Sequence, residues 1–164
     1  MTKVLFVCLG NICRSPLAEG IFRQMTKSRG LENEILCDSC GTSNYHIGSE
    51  PDERTRANAN VNGVKLYHKA RQFKASDFEE FDYIMPMDAS NFRNITVFPQ
   101  AKTTKATLQL MREYDPEGKG LDVPDPYYGG EQGFQEVFDI LNRSCASLLD
   151  QILQRQEFSK TQTR

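Results

Sequence analysis

Apolar residues recur along the chain in two rhythms. Short runs rich in β-branched and aromatic side chains occur at Val4 to Val7, around Ile35 to Cys37, at Tyr83 to Met85 and around Ala106 to Leu110, and each predicts a strand. Stretches of helical spacing separate them. Leu17, Ile21, Phe22 and Met25 line one face of a helix that Pro16 opens in its first turn and Gly30 ends. Near the C-terminus Phe134, Val137, Phe138, Leu141, Cys145, Leu148, Leu149 and Ile152 follow the i, i+3, i+4, i+7 spacing of a long helix with one apolar face. That stripe reads as core. Strands alternating with helices predict parallel pairing and a three-layer α/β sandwich, in which ligands sit at the carboxyl ends of the strands.

No internal repeat and no Pro/Ser/Gly linker interrupts this pattern, so residues 1–158 read as a single domain. Residues 159–164, SKTQTR, read as a frayed tail. At 164 residues the chain is long enough to bury a core without disulfides or metal. A mean hydropathy of -0.56, with no apolar run near the roughly 20 residues of a membrane span, predicts no membrane partner. Twenty basic against 22 acidic residues give no field that would gather nucleic acid, so an anionic ligand must be captured locally. The first residues, MTKVLF, lack the features of a secretory signal, which predicts a cytoplasmic protein. Five cysteines then read as thiols. With two histidines and no paired C-x-x-C motifs, no structural metal is expected, and no cofactor.

The first strand ends at Cys8 and opens into CLGNICRSP, residues 8–16. Between a strand and a helix, the backbone amides from Leu9 to Ser15 can form a ring of donors, to which the helix N-terminus adds partial positive charge. Gly10 and Asn11 are residue types that tolerate the left-handed backbone a tight ring demands. Arg14 supplies a planar fork for two oxygens of a phosphate-like group. Cys8 faces that anion, and the donors that would hold the anion also favour thiolate over thiol. Ser15 is placed to donate to the sulfur and to support it as leaving group, or else to cap the helix. Taken singly, Cys8 would be a small buried hydrophobe. The complete motif after an apolar strand points instead to nucleophilic attack on phosphorus, and it is not a nucleotide loop of the G-x-x-x-x-G-K-[ST] type.

Cleaving a phosphate ester also needs a proton for the leaving oxygen. In DVPDPYYGG, residues 122–130, Asp125 stands between Pro124 and Pro126, which stiffen the loop that carries its carboxyl. Tyr127 and Tyr128 read as an aromatic wall beside it, or as a packed turn.

These pieces resemble the low-molecular-weight protein tyrosine phosphatases across nearly the whole chain. CLGNICRSP and DPYYG are the most diagnostic, with DSCGTSNYHIG, HKARQ and FDYIMPMDASN between them in the family's order. The resemblance implies a four-stranded parallel sheet flanked by helices, no metal, Cys8 as nucleophile, Arg14 as phosphate clamp and Asp125 as general acid. It implies hydrolysis of phosphotyrosine in proteins, and of small aryl phosphates, through a phosphocysteine intermediate. Inorganic phosphate and other oxyanions would bind as product or inhibitor. It further implies that Ser39 and His68 join Asn11 and Ser15 in a network that holds the loop. Leu9, Ile12, Tyr45, Tyr127 and Tyr128 would line a slot for a phenyl ring. Asp88 would lie near the site or cap the next helix. His46 stands where the best-known animal members carry an acidic residue.

Two relatives on the same scaffold are alternatives. An arsenate reductase needs shuttling cysteines, and no thiol lies between Cys40 and Cys145. A protein-arginine phosphatase has threonine where Ile12 stands, and isoleucine favours an aromatic ester. A phosphate-binding module, or a redox protein using Cys37 and Cys40, is a reading of another class. Cys13, on the same short loop as Cys8, is either packing or a thiol that resolves oxidised Cys8.

Overall fold

The computed structural model describes residues 1–162, apart from the side chain of Tyr128. Four parallel strands run β1 (Thr2–Cys8), β2 (Ile35–Gly41), β3 (Tyr83–Pro86) and β4 (Thr107–Leu108), side by side in the order β2-β1-β3-β4. Helices α1 (Arg14–Ser28), α2 (Glu53–Val61), α3 (Asp77–Glu80), α4 (Ala89–Thr96) and α5 (Glu131–Gln162) connect and cover them. The expected strand around Ala106 to Leu110 is present only as Thr107–Leu108, because β4 is an edge strand paired on one side, to β3.

Strand β1 is central, and residues 4 to 8 are buried without interruption. Alternation divides them between two cores. Val4, Phe6 and Cys8 join the residues of α1 and α5, whereas Leu5 and Val7 join Phe73, Phe78, Phe81, Ile84 and Ile95 on the other face. A strand apolar on both faces is what a covered parallel sheet requires. Phe6 meets Phe22 of α1 edge to face at 5.6 Å, a favourable ring geometry.

Helix α1 ends as its sequence predicts. Gly30 has φ 69°, its N–H bonds the Lys27 carbonyl at 3.0 Å, and the Leu31 N–H reaches back to Thr26 O at 2.8 Å. That pair of bonds is a Schellman closure, which favours glycine at the left-handed position. The predicted apolar stripe of α5 lies against α1 and the sheet. The helix continues through Gln162, so the first four residues of the expected tail are helical. Thr161 Oγ1 donates to Phe158 O at 2.7 Å there, and residues 163 and 164 lie outside the described residues.

Because β1 has β2 on one side and β3 on the other, the chain leaving β1 and the chain leaving β3 part at their carboxyl ends. Such a switch point opens a crevice. Cys8 is at its lip.

Candidate active site

Residues 9–13 leave β1 and turn into α1. Asn11 takes the left-handed conformation, with φ 56°. Gly10 does not share it. Its space is limited only by a side chain, since a Cβ there would stand 3.0 Å from His46 Cδ2. Gly41, at the end of β2, is under a harder constraint: its Cβ would lie 2.6 Å from Leu9 O, inside van der Waals contact with backbone. The carbonyls of Cys8, Leu9 and Ile12 are tied away from the turn, accepting from Thr42 N at 2.9 Å, Ser43 N at 3.0 Å and Asp52 N at 2.7 Å. Cys13 caps α1 without a side-chain hydrogen bond. The first amides of the helix are thus left for another acceptor, at its positive end.

Ser15 is not the cap; it lies inside the first turn. Its Oγ stands 2.9 Å from Cys8 Sγ and accepts from Asn11 Nδ2 at 2.8 Å. With a donor already on its oxygen, the hydroxyl proton is free for the sulfur or for the Cys40 carbonyl at 3.3 Å. The Asn11 N–H also donates to Sγ, at 3.3 Å.

Asn11 is the hub of this arrangement. Its Nδ2 donates to Ser15 and to Ser39 Oγ at 3.0 Å, while Oδ1 accepts from Arg71 N at 3.0 Å and lies 2.6 Å from His68 Nε2. An amide oxygen only accepts, so His68 Nε2 is the donor. All four hydrogen-bonding positions of the amide are occupied. On its other side His68 Nδ1 is 3.3 Å from Glu19 Oε1 and 3.7 Å from Asp38 Oδ1. Among the described residues this trio is a group that could hold a metal ion. Arg23 already pairs with Glu19 at 3.2 Å, however, and Arg71 with Asp38 at 2.9 Å. Two guanidinium groups therefore answer the two carboxylates.

Arg14 is buried, and its Nη1 donates to Asp88 Oδ2 at 2.7 Å and to Val123 O at 3.0 Å. Burial works against its charge, but the Cys8 sulfur, Asp88 and Asp125 outweigh burial and raise its pKa. Asp88 does both things expected of it: Oδ1 also accepts from Asn91 N at 2.7 Å and caps α4. Asp125 lies across the crevice, with Oδ2 3.8 Å from Arg14 Nη2 and Oδ1 accepting from Tyr127 N at 3.0 Å.

Together these residues enclose a cavity of about 260 Å³. Cys8, Cys13 and Arg14 form its buried floor, and Leu9, Ile12, Tyr45, His46 and Tyr127 its walls, with Asp125 at the side. Leu9, Tyr45 and Tyr127 are exposed at the mouth. The side chain of Tyr128, expected in the same wall, lies outside the described residues. The other four cysteines are held as thiols. Burial pushes Cys13 and Cys37 up to about 12 and raises Cys40 and Cys145 well above the ordinary value.

The sequence alone did not single out the Val123 carbonyl, Glu19, Arg71, Asp52 or Arg54. Except for Glu19, which lies on α1 itself, each acts from a distant segment. The one local signal was the N-cap pattern at Asp52, whose Oδ1 accepts from the backbone N–H of Arg54 and Thr55 at 2.8 and 3.4 Å.

Residues 3–159 match the family model described as low molecular weight phosphotyrosine protein phosphatase. The chain belongs to that family. A low molecular weight phosphotyrosine protein phosphatase of Schizosaccharomyces pombe is 49% identical over 143 residues, 84% of this chain and 90% of the relative. The crystal structure of a protein tyrosine phosphatase from Entamoeba histolytica, with Hepes in its active site, superposes with a TM-score of 0.88 at 38% identity, covering 95% and 99% of the two chains. A drosophila arginine phosphatase gives a TM-score of 0.85 at 32% identity, over 93% and 98%. This member of the low molecular weight phosphatases is accordingly a hydrolase with the expected parallel α/β fold.

Proposed function

We propose that this phosphatase hydrolyses phosphotyrosine in proteins, and small aryl phosphates, through a phosphocysteine intermediate. The observation that carries the reading is the convergence of Cys8 Sγ, the Arg14 guanidinium and the Asp125 carboxyl on one small cavity with apolar walls. The phosphoryl group would lie over Cys8, its oxygens held by loop amides, the start of α1 and the free edge of Arg14. Cys8 Sγ attacks phosphorus; the S–P bond forms as the P–O bond to the phenol breaks, and Asp125 gives its proton to the departing oxygen. Asp125, now a carboxylate, takes a proton from water as that water attacks phosphorus. The S–P bond breaks, phosphate leaves, and the Ser15 hydroxyl donates to the returning thiolate.

Leu9, Ile12, Tyr45 and Tyr127 favour a flat ring at the mouth. The similarity to a drosophila arginine phosphatase keeps phosphoarginine as the competing substrate, and Ile12, with no group for a guanidinium, weighs against it. Gly10, Asn11, Ser39 and His68 are read as loop support. Cys13 is read as the thiol that resolves oxidised Cys8. Free cysteines suit the reducing cytoplasm, and neither nucleic acid nor a membrane is assigned as a partner.

The test is a series of aryl phosphates of graded leaving group, with phosphotyrosine and phosphoarginine peptides. Asp125→Asn should slow phosphotyrosine hydrolysis by about 10² to 10⁴-fold and slow esters of more acidic phenols less. An equal loss across the series would make Asp125 structural. Comparable efficiency of the unaltered enzyme on phosphoarginine would overturn the substrate class.

A further inference from the structure

Pro124 and Pro126 stiffen the segment around Asp125, but each lacks a backbone N–H with which to anchor it to the rest of the fold. Support comes from another part of the chain. Arg54, in the first turn of α2, places its guanidinium 5.2 Å from the ring centre of Tyr127 and 4.9 Å from that of Phe134. Its Nη1 donates to the Tyr127 carbonyl at 3.1 Å. Its Nε and Nη2 donate to the two oxygens of Asp52 at 3.2 and 3.1 Å. Asp52 is itself fixed at the other end, since its N–H donates to Ile12 O in the phosphate loop at 2.7 Å. At the far end, the Tyr127 N–H donates to Asp125 Oδ1 at 3.0 Å.

We propose that Arg54 is a positioning residue that joins the loop bearing the acid to the loop bearing the nucleophile. The connected path runs Ile12, Asp52, Arg54, Tyr127, Asp125. It links the two reacting groups by a route that does not pass through the substrate. An exposed Arg–Asp pair is by itself worth little, and Arg54 with Asp52 alone would be such a pair. Three features depart from that description: the fork grips Asp52 with two nitrogens, the third nitrogen is spent on a main-chain oxygen of the acid loop, and the half-exposed planar group lies near two ring centres, those of Tyr127 and Phe134. Lysine could not make these contacts together. Arg54 touches neither the sulfur nor the phosphoryl position, so its effect on the reaction passes through Asp125.

The inference rests on Asp125 as general acid, and the experiment separates the two claims. Initial rates are measured on phenyl phosphate and on an ester of a much more acidic phenol, for the unaltered enzyme, Arg54→Ala, Arg54→Lys, Asp125→Asn and the double variant Arg54→Ala/Asp125→Asn. Arg54→Ala should lose about tenfold on phenyl phosphate, a fraction of what the acid supplies, and less than about threefold on the other ester. Arg54→Lys should resemble Arg54→Ala. In the Asp125→Asn background the Arg54 substitution should change neither rate, because there is no acid left to position. Competitive inhibition by inorganic phosphate should stay unchanged, showing that the phosphate loop is intact in every variant. Equal losses on both esters, full additivity in the double variant, or weakened phosphate inhibition would each assign Arg54 a merely structural role. If Asp125→Asn itself shows no leaving-group dependence, the reading of the acid falls and this inference falls with it. If Asp125→Asn shows it and Arg54→Ala does not, only the role of Arg54 is overturned.

Discussion

Asn11 offers a way to separate what holds the phosphate loop from what activates its sulfur. Replacing it with alanine removes both arms of the amide. His68 Nε2 and Arg71 N lose their acceptor, and each unmet buried donor costs about 1–3 kcal/mol. A Cβ residue without a polar side chain held at φ 56° adds about 1–2 kcal/mol. Asn11→Ala should therefore lose about 3–5 kcal/mol of stability, allowing for some relaxation. Asn11→Asp behaves differently. A carboxylate still accepts from His68 and Arg71 and tolerates the left-handed backbone, but it buries a charge at a position 1% exposed, so stability should fall, by less than in Asn11→Ala. Its second oxygen, however, can only accept, and it claims the Ser15 proton that Asn11 Nδ2 leaves free for Cys8 Sγ. A hydrogen bond to a charged sulfur is worth about 1.5–3 kcal/mol, so turnover should fall by about 10- to 100-fold. Urea unfolding gives the first quantity and steady-state aryl phosphate hydrolysis the second. Asn11→Asp with undiminished turnover, or Asn11→Ala as stable as the parent, would refute the hub.

Further outcomes follow from other contacts. Arg14→Lys should cost at least about 10²-fold in turnover, because one ammonium cannot satisfy Asp88, Val123 O and an oxyanion together; activity close to the parent's would show that charge alone suffices. Asp115 is buried and held below the usual carboxylate range: burial alone would raise it, but Arg143, the Glu117 N–H and Arg112 outweigh burial. It therefore contributes stability above its unfolded value of about 3.9, and that stability disappears as pH falls through the lower folded value. Asp115→Asn should lose about 3–5 kcal/mol at neutral pH, by leaving buried Arg112 unpaired, and should flatten the acid limb of chemical unfolding. An acid limb parallel to that of the parent would contradict this. Peroxide should inactivate the enzyme, with bound phosphate protecting and a thiol reductant restoring activity. Because burial keeps Cys13 a thiol, the resolving step should be slow. A peptide map of oxidised protein without a Cys8 to Cys13 link would reduce Cys13 to packing.

The sequence displayed best what is contiguous. The proposed nucleophile, clamp and hydroxyl donor lie within residues 8–15, and strand and helix signals on either side placed that segment at a sheet end. Asp125 was legible because its prolines are adjacent to it. Glu19, Arg71 and Arg54 were not, since each is an ordinary charged residue on or near a helix until the fold brings it to its partner. Gly41 was silent for a similar reason: nothing in DSCGTS shows that the Leu9 carbonyl lies 2.6 Å from where its Cβ would be. Ser15 was misread as a possible cap because Ser before Pro often begins a helix, whereas the turn of residues 9–13 carries the helix start back to Arg14.

The segment from Cys8 to Ser15 carries the groups proposed to grasp an anion, while the proposed acid, Asp125, arrives from more than a hundred residues away on a bracketed loop. On that proposal, capture and release are held by separate parts of the polypeptide. On the proposed mechanism, a copy of the protein whose loop lacks its carboxyl would remain a reader of phosphorylated side chains that seldom lets them go, which would make the chain itself a bait for recovering, from the cell that produces it, the proteins it visits.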